Sequence, residues 1–235
     1  QQVAATLVDL NLSRPLLVTD PYMVQCGYCR RLEEQLEAGG FDYGVFADCV
    51  PDPTTDSVYA ALKVLREGEY DCVVALGGGS SMDTAKAAAV LVHRDGPMRQ
   101  YKVPYLVDGG VPIIAIPTTA GTGSEATRVA VISDTETQEK MLCMGMGLMP
   151  MAALVDYELT LTMPYRLTAD TGIDNRADIL RGDVALTNGF LRCGDGTDRN
   201  RSVRFPPAAL TDAGQRFELS RRDVQTVIHR LQPAF

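Results

Sequence analysis

The sequence has few histidines, no excess of basic residues and no long apolar run. Its 235 residues include two histidines, His93 and His229, and the formal net charge at pH 7 is −8. Such a chain is not expected to bind nucleic acid, because phosphate binding needs a basic face. No apolar run reaches the length of a membrane span, and Gln1–Ala5 lacks the charged and apolar regions of a signal peptide. We therefore predict neither a nucleic-acid nor a membrane partner.

The six cysteines are scattered, and internal repeats and low-complexity segments are absent from the sequence. Cys26 and Cys29 form a Cys-x-x-Cys motif, which occurs in redox and metal sites. Since neither a second pair nor a histidine lies nearby, we favour a structural role for this motif. Cys72 lies in an apolar run, where a buried free thiol is the ordinary interpretation. Unpaired cysteines are typical of the reducing cytoplasm, which is the predicted compartment.

The charge pattern changes sharply near Asp174. Residues 1–174 carry 12 basic and 23 acidic side chains, whereas residues 175–235 carry 10 arginines, no lysine and 7 acidic side chains. Such a shift marks a boundary between regions of different origin or structure. Because the first residue is Gln1 and not methionine, we also expect the sequence to begin inside a longer protein.

Short apolar runs alternate with helical patterns over the first 160 residues. This alternation predicts an α/β fold, a Rossmann-like mainly parallel sheet flanked by helices. Residues 127–133 and 140–143 are predicted to pair as two further strands. Beyond Asp174 only residues 219–231 have a helical pattern. The predicted strands of the main sheet are residues 15–20, 43–47, 71–76, 111–117 and 152–155, and the predicted helices are residues 3–12, 23–38, 55–67 and 81–92.

A glycine-rich turn follows the third predicted strand, in the segment Leu76–Lys86. Without Cβ atoms, the backbone at Gly77, Gly78 and Gly79 can approach a ligand closely. The N-terminus of the following helix supplies free N–H groups and the positive end of a dipole, which suit a pyrophosphate. Ser80 adds a hydroxyl donor. The alternative is an ordinary glycine turn with a capping serine, but three glycines at a strand–helix junction favour the phosphate site.

A threonine-rich loop, Pro117–Glu125, follows the next buried strand. Its hydroxyl groups can hydrogen-bond a ribose and its phosphates, although alone it could be a polar turn. Asp20 ends the first strand. Its carboxylate could accept bonds from an adenosine ribose and repel a 2′-phosphate, which would favour NAD over NADP; a helix cap is the equal alternative. Together these segments predict one ligand cleft at the strand ends.

Several segments resemble iron-containing (group III) alcohol dehydrogenases, and they occur in that family's order over about residues 1–174. The threonine loop is more similar to this family than to the related glycerol dehydrogenases and dehydroquinate synthases, which share the glycine-rich turn. The segments are Val18–Asp20, Val50–Thr54, Leu76–Lys86, Ala115–Glu125 and Leu154–Thr160.

The resemblance implies a dinucleotide-binding α/β domain over residues 1–160, and a linker with a truncated, divergent start of a metal-binding helical domain over residues 161–235. It implies that Gly77, Gly78, Gly79 and Ser80 hold the pyrophosphate, and that Asp20 and Pro53 lie near the adenosine. The remaining implied cofactor residues are Asp83, Thr118, Thr119, Thr122, Ser124 and Lys140.

The sequence departs from the family pattern at the metal site. Family members bind Fe²⁺ or Zn²⁺ through one Asp and three His. Asp174, within Thr171–Asp174, matches the aspartate, but Asp178 stands where the first histidine is expected. The other histidine positions have no counterpart, and His93 and His229 are predicted to be surface residues. We therefore predict an incomplete metal site, which would hold a cation weakly.

By resemblance the intact enzyme is an NAD-dependent alcohol dehydrogenase that interconverts a small alcohol and its aldehyde or ketone. The metal would stabilise the alkoxide from which hydride leaves. The resemblance also implies a homo-oligomer for the intact enzyme. Two alternatives stay open: a catalytically inactive nucleotide-binding fragment, and a relative of glycerol dehydrogenase or dehydroquinate synthase.

Overall fold

The computed structural model describes residues 2–161 and 163, together with the three short strands between residues 184 and 204. The helices are α1 Gln2–Asp9, α2 Pro21–Gln25, α3 Tyr28–Ala38, α4 Thr55–Glu67 and α5 Gly79–Leu91. The strands are β1 Pro15–Val18, β2 Gly44–Phe46, β3 Cys72–Gly77, β4 Ile113–Pro117, β5 Val129–Ser133, β6 Lys140–Met144, β7 Ala152–Ala153, β8 Val184–Thr187, β9 Phe190–Cys193 and β10 Val203–Arg204. Short 3₁₀ helices lie at Met98–Tyr101, Ser124–Ala126, Met146–Leu148 and Tyr157–Thr160.

Five strands form the predicted parallel sheet, in the order β2-β1-β3-β4-β7. Every residue of β1, β3 and β4 is buried, as expected for a parallel sheet that is covered on both faces. One core cluster joins the sheet to α4 and α5, and a second joins it to α1 and α3. The fold is therefore a three-layer α/β arrangement, and the predicted fold class is confirmed.

The helices start and end where local chemistry favours it. The Thr54 side chain caps α4 by accepting from the Ser57 N–H at 3.2 Å, and Gly68 follows the last turn. Asp20 caps α2 in the same way, and Pro21 occupies the first helical position, where its missing N–H costs nothing. Helix α5 is buried along almost its whole length, which small alanine side chains allow.

The predicted single helix over residues 23–38 is wrong, since the chain forms α2 and α3 there instead. The break lies at Gly27, whose φ of 76° is in the left-handed region. That conformation interrupts a helix, and glycine adopts it without the Cβ penalty of other residues. The predicted antiparallel pairing of residues 127–133 with 140–143 is confirmed by β5 and β6, which pair from Val129 with Met144 to Ser133 with Lys140.

Beyond residue 163 the structure describes backbone strands. β8, β9 and β10 form a three-stranded antiparallel sheet, in a segment where we predicted the start of a helical domain. Asp174, Asp178 and the predicted helix over residues 219–231 lie outside the described residues. The division into domains at residue 160 stays a prediction.

Candidate nucleotide-binding cleft

The predicted site residues meet at the carboxyl edge of the sheet. Strand β2 lies on one side of β1, and β3 with the later strands lies on the other side. The strand order therefore reverses between β1 and β3. Open α/β sheets bind ligands at such a switch point, beyond the carboxyl ends of the strands. Asp20 follows β1 there, the glycine turn follows β3, and the threonine loop follows the adjacent β4.

The glycine turn leads directly into helix α5. Gly77 has a φ of 146°, which favours glycine, and a Cβ at this position would lie 2.6 Å from Ser81 Oγ. Gly78 precedes the helix in an extended conformation, and no side chain caps the helix at this end. The first N–H groups of this 13-residue helix therefore lack a side-chain cap, and their partial positive charge suits an anion.

The threonine loop packs against the glycine turn. A Cβ on Gly78 would lie 3.1 Å from the Thr119 methyl carbon, and a Cβ on Gly79 would lie 3.4 Å from that of Thr122. Thr118 is buried, and its N–H donates to the Gly77 carbonyl at 3.0 Å. The glycines thus allow the two loops to approach closely.

Thr119 Oγ1 is buried and has no hydrogen-bond partner among the described residues. Buried hydroxyls are usually paired, and each exception calls for an explanation such as an absent ligand. The residues present therefore fit a nucleotide: an open helix N-terminus, a turn without side chains, and a polar atom that lacks a protein partner.

The Asp20 carboxylate caps helix α2 and also contacts the glycine turn. Its Oδ1 accepts from the Met23 N–H at 3.1 Å, which is the helix cap. Its Oδ2 accepts from Ser81 Oγ at 2.9 Å and lies 3.0 Å from the position of a Cβ on Gly77. The cap therefore holds the carboxylate against the glycine turn and does not take it away from the cleft.

A further group of predicted site residues is connected through Asp52 and Ser133: Pro53, Ser80 and Lys140. Lys140 Nζ forms an ion pair with Asp52 Oδ1 at 2.6 Å, and this contact is the main cause of the lowered pKa of Asp52. The Asp52 N–H donates to Ser80 Oγ at 3.3 Å, and the Pro53 carbonyl accepts from the Ser133 N–H at 2.8 Å. Because the ion pair is exposed, it stabilises the fold little, and the lysine is accessible to a ligand.

Asp83 and Ser124 contact each other. Asp83 Oδ1 accepts from Ser124 Oγ at 2.8 Å, and Oδ2 accepts from the Val131 N–H at 2.9 Å. Burial raises the pKa of Asp83 above its usual range, although these two hydrogen bonds and the charge of Lys86 act in the opposite direction. The Asp83 carboxylate, predicted to contact the cofactor, thus contacts the threonine loop and β5.

Lys86 was missed by the sequence analysis. It is fully buried, and its Nζ donates to the carbonyls of Thr127 at 2.9 Å and Val129 at 3.0 Å. Burial lowers the pKa of Lys86 to about 8, while the charges of Asp83 and Glu125 partly restore it. The available signal was a single charged side chain within a run of alanines, after the other polar residues of the helix.

Among the described residues, no group of three or more His, Cys, Asp or Glu side chains could hold a metal ion. His93 is exposed, as predicted for a surface histidine. In the Cys-x-x-Cys motif both thiols are free, and burial with the nearby Glu33 raises the pKa of Cys29 to about 11. Such a thiol is a weak nucleophile and metal ligand, which agrees with the structural role. In the same part of the chain, no helix is long and apolar enough to cross a membrane.

Known proteins resemble this chain over most of its length. A sequence model of the family described as iron-containing alcohol dehydrogenase matches residues 1–157. A sulfoacetaldehyde reductase from Bilophila wadsworthia is 36% identical over 175 residues, which are 74% of this chain and 45% of that protein. An NAD-dependent methanol dehydrogenase from Bacillus methanolicus is 33% identical over 196 residues, which are 81% of this chain and 51% of that protein.

The fold is similar to that of solved relatives. A sulfoacetaldehyde reductase from Bifidobacterium kashiwanohense, crystallised with NAD⁺, superposes with a TM-score of 0.69 at 35% identity. The match covers 74% of this chain and 46% of that one. The chain therefore spans about half the length of the relatives that it matches.

Proposed function

Because the chain belongs to the iron-containing alcohol dehydrogenase family, we propose that it is the nucleotide-binding part of an NAD-dependent oxidoreductase. The substrates of the whole protein are small alcohols and the corresponding aldehydes or ketones. The methanol dehydrogenase and the NAD⁺-bound reductase among its relatives support both the cofactor and the reaction class.

The contact between the glycine turn and Thr119 carries this proposal. The glycines bring the turn into close contact with the Thr119 and Thr122 side chains, and the buried Thr119 hydroxyl has no partner among the described residues. A hydrophobic contact would need neither this hydroxyl nor an uncapped helix N-terminus, whereas a nucleotide supplies phosphate and hydroxyl groups that pair with Thr119 and with the helix N–H groups.

We assign the cofactor contacts as follows. The N–H groups after Gly78, with Ser80, bind the pyrophosphate, and Asp20 accepts bonds from the adenosine ribose near Pro53. Thr118, Thr119 and Thr122 line the ribose and nicotinamide side, while Ser124 and Asp83 support that loop and Lys140 lies at the rim. When bound, NAD supplies a hydride acceptor; the residues of this chain bind it, orient it and limit access of water.

We derive no catalytic step through Fe²⁺ or Zn²⁺. Asp174 remains the proposed family ligand, with Asp178 at a position that the family gives to histidine, and two histidines alone cannot supply the family's set of three His and one Asp ligands. We propose that this chain binds cofactor without a complete metal site. The five free thiols among the described residues support a reducing compartment such as the cytoplasm, and we extend the family's homo-oligomeric state to the whole protein.

The first test measures binding and turnover separately. Calorimetric titration with NAD should give saturable binding, whereas assays with ethanol, butanol or propanediol plus NAD should give far less turnover than a full-length relative does. Absence of NAD binding by the folded chain would contradict the proposed function. Turnover at a rate like that of the methanol dehydrogenase would show that the metal site is complete after all.

The second test removes the Thr119 hydroxyl without changing the shape of the side chain. In Thr119→Val we expect NAD affinity to fall about tenfold, the usual effect of losing one hydrogen bond to a charged or strongly polar group. Because the hydroxyl is unpaired within the described protein, the thermal midpoint of the free variant should be unchanged or higher. A lower midpoint with unchanged NAD affinity would assign Thr119 to the fold and not to the cofactor.

A further inference from the structure

Helix α5 carries two charged side chains, Asp83 and Lys86, that contact the opposite wall of the cleft. We propose that Asp83 and Lys86 are positioning residues: they hold the threonine loop and β5 against α5 and so fix the width of the nucleotide cleft before the cofactor arrives. This inference rests on the proposed function, because it concerns the same cleft. Neither residue need touch the cofactor.

The hydrogen bonds of Asp83 and Lys86 form a row along one face of α5. Residues three apart on a helix lie on the same side, so Asp83 and Lys86 face the same neighbours. From the loop toward β5, Asp83 accepts from Ser124 Oγ, Lys86 donates to the Thr127 and Val129 carbonyls, and Asp83 accepts again from the Val131 N–H. These bonds join the helix to both the end of the loop and the strand that continues it.

The burial of Lys86 requires an explanation beyond packing. A fully buried ammonium loses its hydration, and a methionine of similar length would fill the same space without that penalty. Asp83 and Glu125 provide partial compensation by charge, yet Glu125 Oε2 is itself buried without a hydrogen-bond partner among the described residues. The arrangement is expensive in free energy, and what it provides is a defined orientation of the backbone at Thr127 and Val129.

The row of hydrogen bonds from Asp83 and Lys86 lies next to the proposed phosphate site, and we expect it to affect cofactor affinity. The N-terminus of α5 is the proposed phosphate site, one turn before Asp83. The loop carries Thr119 and Thr122 against Gly78 and Gly79, and β5 pairs with β6, which begins at Lys140. Helix α5 therefore sets the distances from the phosphate site to the threonine loop and to the β5–β6 pair. Without the row, the loop must be ordered when the cofactor binds, which weakens affinity.

The test compares Lys86→Met and Asp83→Ala with the conservative Asp83→Asn and the control Lys63→Met. Lys63 lies on the exposed side of α4 and pairs with Glu67, so its replacement removes a lysine charge away from the cleft. We expect Lys86→Met and Asp83→Ala to weaken NAD binding about tenfold by calorimetry. Asp83→Asn can still accept from Val131 and bond to Ser124, and should retain most of the affinity, as should Lys63→Met.

Hydrogen exchange in the absence of cofactor provides a readout that does not depend on binding. In Lys86→Met and Asp83→Ala, amides of residues 122–131 should exchange faster while those of β1 and β3 stay protected. Faster exchange of all regions alike would show general destabilisation and overturn the positioning role. If Lys86→Met does not fold, Asp83→Ala is judged by the same two measurements.

The outcomes separate this inference from the proposed function. Wild-type binding of NAD, with affinity and local exchange unchanged in both variants, would overturn the positioning role and leave the proposed function intact. Failure of the wild type to bind NAD would overturn the proposed function; local exchange would then still decide whether the two side chains hold the loop.

Discussion

Gly78→Val should reduce NAD affinity at least about a hundredfold while the sheet stays folded. The valine Cβ would lie 3.1 Å from the Thr119 methyl carbon, so the side chain would push the threonine loop away from the turn. We expect its two methyl groups also to enter the space assigned to the pyrophosphate. Loss of two charge-assisted hydrogen bonds to the phosphates accounts for an effect of this size. The φ of −82° at Gly78 is accessible to valine, so backbone strain does not complicate the result.

The choice of glycine and of control makes this prediction specific. Gly77 is a poorer probe, because its φ of 146° and its closeness to Ser81 would strain any substitution. Ala38→Val adds branched bulk on an exposed position at the end of α3, near the opposite edge of the sheet, and should leave NAD binding unchanged. Gly78→Ala should lie between wild type and Gly78→Val. A folded Gly78→Val protein with wild-type NAD affinity by calorimetry would disprove the phosphate assignment.

The wild-type chain should bind NAD tens- to hundreds-fold more tightly than NADP, and Asp20→Gly should remove most of that preference. The Asp20 carboxylate is held against the glycine turn by its bonds to Met23 and Ser81. Repulsion between this charge and a 2′-phosphate a few ångströms away amounts to a few kcal/mol, which converts to roughly that ratio. NAD affinity should fall modestly, because ribose contacts and the Ser81 contact are lost.

Asp20→Asn separates the charge from the helix cap. Asparagine caps helices as well as aspartate does, so the variant should keep α2 and still bind NADP better than the wild type. The wild-type preference should also shrink at high salt, since ions screen the repulsion. Equal affinities of the wild type for NAD and NADP, in titrations at low salt, would remove Asp20 from the cofactor site and leave it only the cap.

The buried strands were predictable because a parallel sheet covered on both faces needs continuous apolar runs, such as Ile113–Ile116. The break between α2 and α3 was not. Apolar residues continue at helical spacing on both sides of Gly27, and a glycine within a helix is only mildly unfavourable. Nothing local shows that this glycine takes a positive φ, because packing of the flanking helices against the sheet decides it.

The site could be predicted to the level of which loops meet, since parallel strands bring their carboxyl ends to one edge. The direction of individual side chains could not. The position of Asp83, one turn after the glycines, is equally compatible with facing the phosphate or facing the threonine loop, and its partner Val131 is 48 residues away. The same holds for Lys86, whose carbonyl partners are set by how β5 crosses the helix.

In the main sheet, each strand lies at an edge of the strands that precede it in the chain. β1 pairs first with β2, β3 then adds to the free edge of β1, β4 adds to β3, and β7 adds to β4. No strand has to insert between two that are already paired, so a chain emerging from the ribosome can extend the sheet outward as each strand appears. A nascent chain released through Pro117 already contains four of the five strands, whereas the wall formed by the threonine loop and β5 follows later. The sheet is therefore synthesised largely before the second wall of the proposed cofactor cleft.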